Sequence, residues 1–269
     1  MKLGQLWSAL LGKRMTQRLL KVLLPDLVWN QEIYGAWLQR FVSKDVRWLE
    51  AGCGWRILGE DLEKIEDALV AGAGMVVGSD LTLNSLTQHR NIQRRACASL
   101  DFLPFASGSF DLVTCNMVVE HLPNPLASFR EMTRVLSPNG VLILHTPNTL
   151  NYLIFLNRTV AKILPRGFVL WVIRSSENRP ESDVFPTFYR ANSLEKLREI
   201  GRELSLIEVS SRVLTAPQPV CRFFAPLALF ELLLMRATMS RPFRRFGATL
   251  LVAFRKSAVA GSSATPSRL

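Results

Sequence analysis

The sequence predicts an α/β protein built around a doubly wound, mostly parallel β-sheet. Apolar, β-prone runs alternate along the chain with helix-like stretches, which is the pattern of parallel βαβ units. The first run, residues 46–50, ends at Glu50 and enters a turn that contains Gly52 and Gly54. Because glycine lacks a Cβ, such a turn can bend sharply and approach a ligand. The 269 residues are enough for one substantial core with elaborations.

The same alternation predicts the strands and helices in order. Strands are predicted over 46–50, 75–79, 110–116 and 140–146, with edge strands over 204–213 and 248–255. Amphipathic helices are predicted over 58–71, 82–95 and 125–136, and a later helix is capped at Asn192 or Ser193. Parallel connections place the carboxyl ends of the strands at one edge, where ligands of such sheets bind. Residues that follow those ends are therefore the candidate site.

The charge of the chain indicates anionic partners. Its 33 Lys and Arg residues exceed its 22 Asp and Glu residues, which gives a formal net charge of +11 and a pI near 10.1. Nucleic acid, anionic lipid and acidic substrates all fit that charge. Cys53, Cys97, Cys115 and Cys221 show no paired spacing, so we expect reduced thiols in a cytoplasmic protein.

No targeting or membrane-spanning segment is expected. Lys13 and Arg14 interrupt the apolar N-terminus before it reaches signal-peptide length, so we expect it to be retained. A span needs about 18 uninterrupted apolar residues. The closest stretch, 223–235, carries Glu231, and we expect a protein that does not cross a membrane.

Polar residues at the end of the second predicted strand, and in the segment before the third, suit a nucleoside. Asp80 ends the second strand, where a carboxylate can accept both hydroxyls of a ribose or can cap the next helix. Ser99 or Asp101 can meet the amino group of an adenine. Leu100 or Phe102 can cover its ring, although these residues also suit a plain capped turn.

Five short blocks occur in order between about Val46 and Pro147. They are Glu-Ala-Gly-Cys-Gly, Gly-Ser-Asp, Leu-Pro-Phe-Ala-Ser-Gly-Ser-Phe-Asp-Leu-Val, Val-Val-Glu-His-Leu-Pro-Asn-Pro and Leu-Ser-Pro-Asn-Gly. Together they resemble the class I S-adenosylmethionine-dependent methyltransferases, most closely the ubiquinone and menaquinone group. The resemblance implies a Rossmann-like, seven-stranded sheet with helical insertions, and S-adenosylmethionine as the cofactor.

The resemblance also implies which residues bind the cofactor. Glu50, Gly52 and Gly54 would line the methionine portion, and Asp80 would hold the ribose. The adenine would be surrounded by Ser99, Leu100 and Asp101, and the sulfonium would lie beside Asn116. There are two departures from the family pattern. The family has a carboxylate two residues before Asp101, where this chain has Ser99. The third loop glycine of many relatives is absent, with Trp55 and Arg56 in its region, which argues against a loop that binds a dinucleotide pyrophosphate.

Histidines near the strand ends are candidates for proton transfer, which methylation of a hydroxyl requires in addition to alignment. His121 is the candidate base because histidine titrates near neutral pH, and a plain helix-start residue is the alternative. Glu120 beside it would contact substrate or organise the loop. His145, which ends a strand, is a second candidate on the substrate side. His89 is expected to be exposed on a helix.

No metal requirement is expected. The ubiquinone O-methyltransferases that this chain resembles have a second carboxylate three residues before the position of Glu120, where this chain has Met117. Glu120 and His121 alone are a poor site for a hard cation, which prefers several oxygen ligands.

Two insertions exceed the minimal domain, which we expect over 45–256. The insertion over 148–190 is predicted to be a substrate lid in which Tyr189 or Arg190 faces the pocket, with simple packing as the alternative. The insertion over 216–246 combines an apolar helix with arginines and suits a membrane interface, the sheet or a dimer contact. Residues 1–44 form a helical, basic and apolar segment, and the tail 257–269 is expected to be disordered.

The sequence therefore predicts methyl transfer from S-adenosylmethionine, at oxygen, to a hydrophobic or lipid-linked small molecule, by a peripheral protein on the inner face of a membrane. Two other classes remain open. A nucleic-acid or protein methyltransferase would explain the charge, but the basic residues adjoin aliphatic runs and no nucleic acid is expected. A non-catalytic scaffold would keep the fold and use its apolar insertion for a partner.

Overall fold

The α/β architecture is seen in a computed structural model that describes residues 14–152, 154, 185–215 and 225–258. Some predictions lie outside the described residues. They concern the start of the N-terminal segment, most of the predicted lid, the first part of the 216–246 insertion with Cys221, and most of the tail. Cys53, Cys97 and Cys115 are described and have free thiols.

Seven strands form one sheet. They are β1 (Arg47–Ala51), β2 (Met75–Asp80), β3 (Arg94–Cys97), β4 (Phe110–Asn116), β5 (Leu136–Pro147), β6 (Leu206–Leu214) and β7 (Thr249–Lys256). Their order across the sheet is β3-β2-β1-β4-β5-β7-β6. The β1–β2, β1–β4, β2–β3 and β4–β5 pairs are parallel. This confirms the predicted doubly wound, mostly parallel sheet.

The central strands are buried because their sequences are almost entirely apolar. Trp48 and Leu49 of β1 and Val113 of β4 are fully buried. Strands that are covered on both faces need such continuous apolar runs. The strand order reverses between β1 and β4, and ligands of doubly wound sheets bind beyond the carboxyl ends of the strands at such a point.

Helices flank these strands. They are α1 (described over 14–23), α2 (Asn30–Phe41), α3 (Glu63–Gly72), α4 (Leu83–Thr87), α5 (Pro125–Val135), α6 (Leu194–Glu203) and α7 (Ala225–Met239), with 3₁₀ turns at Glu60–Leu62, Val119–His121 and Arg241–Phe246. The cap of α6 is Ser193 rather than Asn192, because Ser193 Oγ accepts the Lys196 N–H at 3.2 Å.

The helix predicted over 82–95 is wrong in its second half. The helix α4 ends at Thr87, and Arg94–Cys97 form β3 instead. This short strand pairs with β2 from Val77↔Arg94 to Asp80↔Cys97. Two of its four residues are arginines and three of the four are exposed, so the open edge of β2, rather than any apolar pattern, decides its structure.

Contacts divide the chain into two compact units. One unit comprises Tyr34–Thr146, Thr187–Arg212 and the described part of Leu250–Leu269. Its largest fully buried side chains are Trp48, Tyr34, Phe110, Phe129 and Phe254. All the candidate site residues belong to this unit.

The other unit comprises the described parts of Met1–Ile33, Pro147–Pro186 and Val213–Thr249. Leu24, Leu232 and Met235 form its buried cluster, against which Leu19, Leu20, Leu23, Leu27 and Met239 pack. The N-terminal segment and α7 therefore share one small apolar core. Among the described helices, none has both the length and the apolarity needed to cross a membrane.

Candidate active site

A tight glycine turn follows β1. Gly52 and Gly54 have φ values of +76° and +54°, in the region that disfavours a Cβ. The N–H groups of Gly52 and Cys53 both donate to Ser79 O, at 2.7 and 3.0 Å. A Cβ on Gly52 would overlap Val118 Cγ2, whereas no described atom lies within 4 Å of a Cβ built on Gly54. The turn is therefore closed by protein at Gly52 and open at Gly54.

Glu50 ends the apolar part of β1 and is only 1% exposed. Its Oε2 accepts a hydrogen bond from Thr114 Oγ1, which in turn accepts one from Trp48 Nε1 at 2.5 Å. Burial is the main cause that raises the pKa of Glu50 to about 8, and the charge of Glu66 also raises it, against the effect of the Thr114 hydrogen bond. At neutral pH this carboxyl is therefore mainly protonated in the free protein.

We expect Glu50→Gln to change how the stability of the fold depends on pH. The pKa of Glu50 is about 8 in the fold against an ordinary value of 4.5, so the folded chain holds this proton more tightly than the unfolded chain. Stability then declines as the pH rises from about 4.5 to about 8. At about 1.4 kcal/mol per pKa unit, the decline is a few kcal/mol, and the variant lacks it.

Urea unfolding of both proteins at mildly acidic and mildly alkaline pH measures this difference. Comparing the two proteins cancels the opposite contribution of His145, whose pKa burial lowers to about 4. Equal pH dependence of the free energy of unfolding in the two proteins would contradict a protonated Glu50.

Asp80 ends β2 and contacts the glycine turn. Its Oδ2 accepts the Gly54 N–H at 2.9 Å, and its Oδ1 accepts the N–H and the hydroxyl of Thr82 at 2.9 and 2.8 Å. Because α4 begins at Leu83 with Thr82 as its cap residue, Asp80 orders the approach to this helix without capping it. These contacts are compatible with a ribose ligand, since each carboxylate oxygen accepts more than one hydrogen bond.

The segment after β3 makes a tight turn. The N–H groups of Phe102 and Asp101 donate to Ser99 O and Ser99 Oγ, at 3.0 and 3.2 Å. Asp101 Oδ1 accepts a hydrogen bond from Ser128 Oγ of α5. Leu100 is buried, whereas Phe102 is 80% exposed, so Phe102 is the ring available to cover a planar ligand. The capped turn is present, and contacts of these residues with adenine stay a prediction.

Asn116 is oriented by side-chain hydrogen bonds at the end of β4. Its Nδ2 donates to Ile57 O at 2.7 Å, which leaves its Oδ1 to accept from His145 Nδ1 at 2.8 Å. His145 is fully buried and stacks on Tyr34, with the ring centroids 5.4 Å apart. Burial lowers the pKa of His145 to about 4, so the ring is neutral at physiological pH. His145 therefore contacts Asn116 from within the core.

Glu120 and His121 lie on the 3₁₀ turn after β4. Glu120 is 4% exposed, and its Oε2 accepts the Thr146 hydroxyl at 3.1 Å; Thr146 Oγ1 accepts from Asn192 Nδ2 at 2.6 Å. The His121 side chain is 28% exposed, and its Nε2 lies 3.9 Å from Glu120 Oε1. A partly exposed imidazole beside a fixed carboxylate can take up a proton and hold the resulting charge.

The end of the predicted lid is bound to the same turn. Glu120 O accepts the N–H groups of Phe188 and Tyr189, at 2.7 and 3.2 Å. The guanidinium of Arg190 lies 5.5 Å from the centroid of the Phe188 ring. Tyr189 and Arg190, which the sequence predicts on the substrate side, therefore lie next to the turn that carries Glu120.

Comparisons with known proteins identify the domain that carries this arrangement. Residues 49–144 match the family model described as a methyltransferase domain. A chain in the complex between the Haloferax volcanii Trm112 methyltransferase activator and a methyltransferase has the same fold, with a TM-score of 0.56 and 19% identity over 87% of this chain and 91% of that chain. A Bacillus halodurans methyltransferase has the same fold with a TM-score of 0.51, and it is 16% identical over 83% of this chain and 98% of that chain. Over residues 49–144, the chain thus contains a methyltransferase domain with the fold of these structures.

Ubiquinone biosynthesis O-methyltransferases are among the curated relatives of this methyltransferase domain. The protein of Xanthomonas oryzae pv. oryzae strain PXO99A is 30% identical over 129 residues, which are 45% of this chain and 53% of that protein. The protein of Neisseria meningitidis serogroup A is 30% identical over 132 residues, which are 46% of this chain and 56% of that protein. The chain thus spans about half the length of the curated relatives it matches.

One positioning residue of the candidate active site is absent from the sequence motifs. Glu66 of α3 is 2% exposed, and its Oε2 accepts the N–H groups of Ile57 and Leu58 at 3.0 and 2.8 Å. It fixes the chain just after the glycine turn. Its place on the apolar face of a predicted helix is the only sequence signal, because a carboxylate on such a face needs hydrogen-bond partners.

The glycine turn fits S-adenosylmethionine in two respects. Gly54 leaves open space against the backbone, which a Cβ would enter. The guanidinium of Arg56 lies 3.7 Å from the centroid of the Trp55 ring, and its Nε and Nη1 are buried with no hydrogen-bond acceptor among the described residues. Although Arg56 Nη2 lies 3.6 Å from Glu60 Oε1, the buried Nε and Nη1 still need acceptors, which the carboxylate of a methionine portion can supply.

His89 is not exposed on a helix, contrary to the prediction. It follows the end of α4, is 6% exposed and accepts the Ile92 N–H on Nδ1 at 3.2 Å. Burial is the main cause that lowers the pKa of His89 to about 4. The early end of α4 lets this residue turn inward, where it supports the loop before β3.

A metal cluster is also not seen in the part of the chain that the structure describes. Within those residues, no group of three or more His, Cys, Asp and Glu side chains is placed to hold a metal ion. That the protein needs no metal stays a prediction.

Proposed function

We propose that this protein transfers the methyl group of S-adenosylmethionine to an oxygen atom of a hydrophobic or lipid-linked small molecule. The observation that carries the proposal is the partly exposed His121 beside the buried Glu120, on a turn that touches the glycine turn through Val118. The similarity to ubiquinone biosynthesis O-methyltransferases supports an oxygen acceptor and a lipid-linked substrate class.

The cofactor is proposed to lie along the carboxyl ends of β1, β2, β3 and β4. When bound, S-adenosylmethionine supplies a methyl group on a sulfonium, so the protein has to align the reactants more than activate them. The residues proposed to hold it are Glu50, Gly52, Gly54 and Arg56 at the methionine portion, Asp80 at the ribose, Ser99, Leu100 and Asp101 at the adenine, and Asn116 at the sulfonium. Buried contacts of Glu66 and His145 keep Ile57 and Asn116 in place.

His121 is proposed to be the general base for the acceptor hydroxyl. Its Nε2 lies 3.9 Å from Glu120 Oε1, and the imidazole is proposed to take the proton as the acceptor oxygen bonds to the methyl carbon. Glu120, held by Thr146, stabilises the imidazolium that forms. Tyr189 and Arg190, next to this turn, are proposed to contact the substrate.

The reaction is proposed to take place on the cytoplasmic face of a membrane, with the protein attached peripherally. A hydrophobic acceptor partitions into lipid, so an enzyme at the bilayer surface meets it at a high local concentration. The net charge of +11 supports attraction to an anionic leaflet.

Methyl-labelled S-adenosylmethionine tests the proposal directly. Purified protein is incubated with membrane or soluble extract of its host, and the label is partitioned among organic, aqueous and macromolecular phases. We expect label in the organic phase, from which the product can be identified, and none when the protein is left out. Label in RNA or protein would contradict the proposal, and failure to bind S-adenosylhomocysteine would favour a non-catalytic scaffold.

A further inference from the structure

The helix α7 has two apolar faces, of which only one is covered by protein. Ala228, Leu232 and Met235 are buried, and the last two belong to the cluster around Leu24. On the opposite face, Leu229, Phe230 and Leu233 are 38%, 58% and 49% exposed. A surface helix of a soluble domain usually has polar side chains on this face. The exposed apolar stripe therefore lacks a partner within the described residues.

Arginines adjoin this stripe. Arg236, whose Nη1 donates to Leu23 O, lies exposed on the last turns of α7, and Arg241, Arg244 and Arg245 are exposed on the 3₁₀ turn that follows. Phe243, between them, is 51% exposed. We name these side chains the α7 patch: Leu229, Phe230, Leu233, Arg236, Arg241, Phe243, Arg244 and Arg245.

The segment 225–246 contributes no exposed carboxylate that could offset the charge of the α7 patch. Glu231 is the sole acidic residue over 225–246. It lies on the buried side of α7, 4% exposed, and accepts a hydrogen bond from the Tyr152 hydroxyl at 2.8 Å. The exposed surface is therefore apolar and positively charged.

We infer that the α7 patch docks on an anionic lipid bilayer, an inference that rests on the membrane attachment in the proposed function. The four aromatic and aliphatic side chains enter the interface between headgroups and acyl chains, and the arginines pair with lipid phosphates. The 15 residues of α7 extend about 22 Å at about 1.5 Å per residue, less than the about 30 Å of a hydrocarbon core. The helix therefore lies in the plane of the surface.

A second copy of the chain fits this surface less well. In a twofold contact each patch faces itself, so the arginines of one copy would approach those of the other. The patch has no exposed carboxylate to pair with them. An anionic bilayer supplies the missing charge.

Vesicle flotation with the full chain tests the inference without any methyl transfer. The probes are vesicles of phosphatidylcholine alone and of phosphatidylcholine mixed with phosphatidylglycerol. We expect binding to the mixed vesicles, weakened by salt because the contacts are exposed. A basic side chain near such a surface contributes about fivefold in affinity, so Arg241→Ala, Arg244→Ala and Arg245→Ala together lose about 100-fold. Leu229→Ser, Phe230→Ser and Leu233→Ser together abolish binding.

Matched controls remove three exposed arginines elsewhere, Arg40, Arg94 and Arg202, or the exposed Ile207 and Val209 of β6, and are expected to bind vesicles almost as the parent does. Equal binding to both kinds of vesicle, or no binding, would overturn the inference. A dimer that the serine substitutions dissociate would instead assign the patch to a second copy. S-adenosylhomocysteine binding and labelling of the organic phase read out the proposed function separately, so either idea can fail alone.

Discussion

Replacing Gly52 with alanine is expected to weaken S-adenosylhomocysteine binding by about 100-fold or more. At a φ of +76° a Cβ costs about 1–2 kcal/mol. The new Cβ would also overlap Val118 Cγ2 and lie 2.9 Å from Val118 Cγ1. The turn then has to move away from Ser79 O, which holds two of its N–H groups. A total cost of about 3 kcal/mol corresponds to about 100-fold in the dissociation constant, which calorimetry measures.

Gly108→Ala is the matched control for backbone strain. Gly108 has a similar φ of +72°, but it lies before β4, and the nearest atom to its built Cβ is Ser137 Cα at 3.9 Å. This variant should lose stability and keep its affinity for S-adenosylhomocysteine. Adding Val118→Ala to Gly52→Ala removes the overlap and should restore part of the affinity. Parent-like binding by Gly52→Ala would show that the turn does not hold the cofactor.

Strands with continuous apolar sequences were predictable because burial on both faces demands that composition. The strand β4 has the predicted bounds, Phe110–Asn116, and β2 extends the prediction by one residue to Asp80. The strand β5 begins at Leu136 rather than near 140, because Ser-Pro-Asn-Gly has the composition of a turn yet continues the strand with Asn139 at a φ of +63°. The sequence pattern did not predict the short, exposed β3, because only its pairing with β2 makes it a strand.

For the candidate site, the positions of the residues at the sheet edge were predictable, whereas their contacts were not. Glu50, Asp80 and His121 lie at or just after strand ends, and a parallel sheet places such residues at one edge whatever their partners are. The contacts that fix them join distant parts of the chain, as Asn192 does with Thr146. Such pairings depend on how helices pack on the sheet, so they have no local pattern. The burial of His145 and His89 was missed for this reason.

Replacing His121 with alanine is expected to lower the turnover of a hydroxyl acceptor by about 10²–10⁴-fold, the usual contribution of a general base. S-adenosylhomocysteine affinity should not change, because the side chain of His121 is proposed to meet the acceptor rather than the cofactor. The loss should fall on kcat more than on KM, since a base acts in the transition state. The rate of methyl transfer, measured against pH with the identified acceptor, checks this expectation.

Two further variants separate proton transfer from a structural role of the turn. His121→Gly should regain part of its turnover when imidazole is added, because the free base can enter the space left by the side chain. Thr146→Val removes the hydroxyl that holds Glu120 Oε2 and should give a smaller loss with a shifted pH profile. The carboxylate beside the imidazolium is then held less firmly. Unchanged turnover of His121→Ala across pH would remove this histidine as the base and leave alignment as the protein's main contribution.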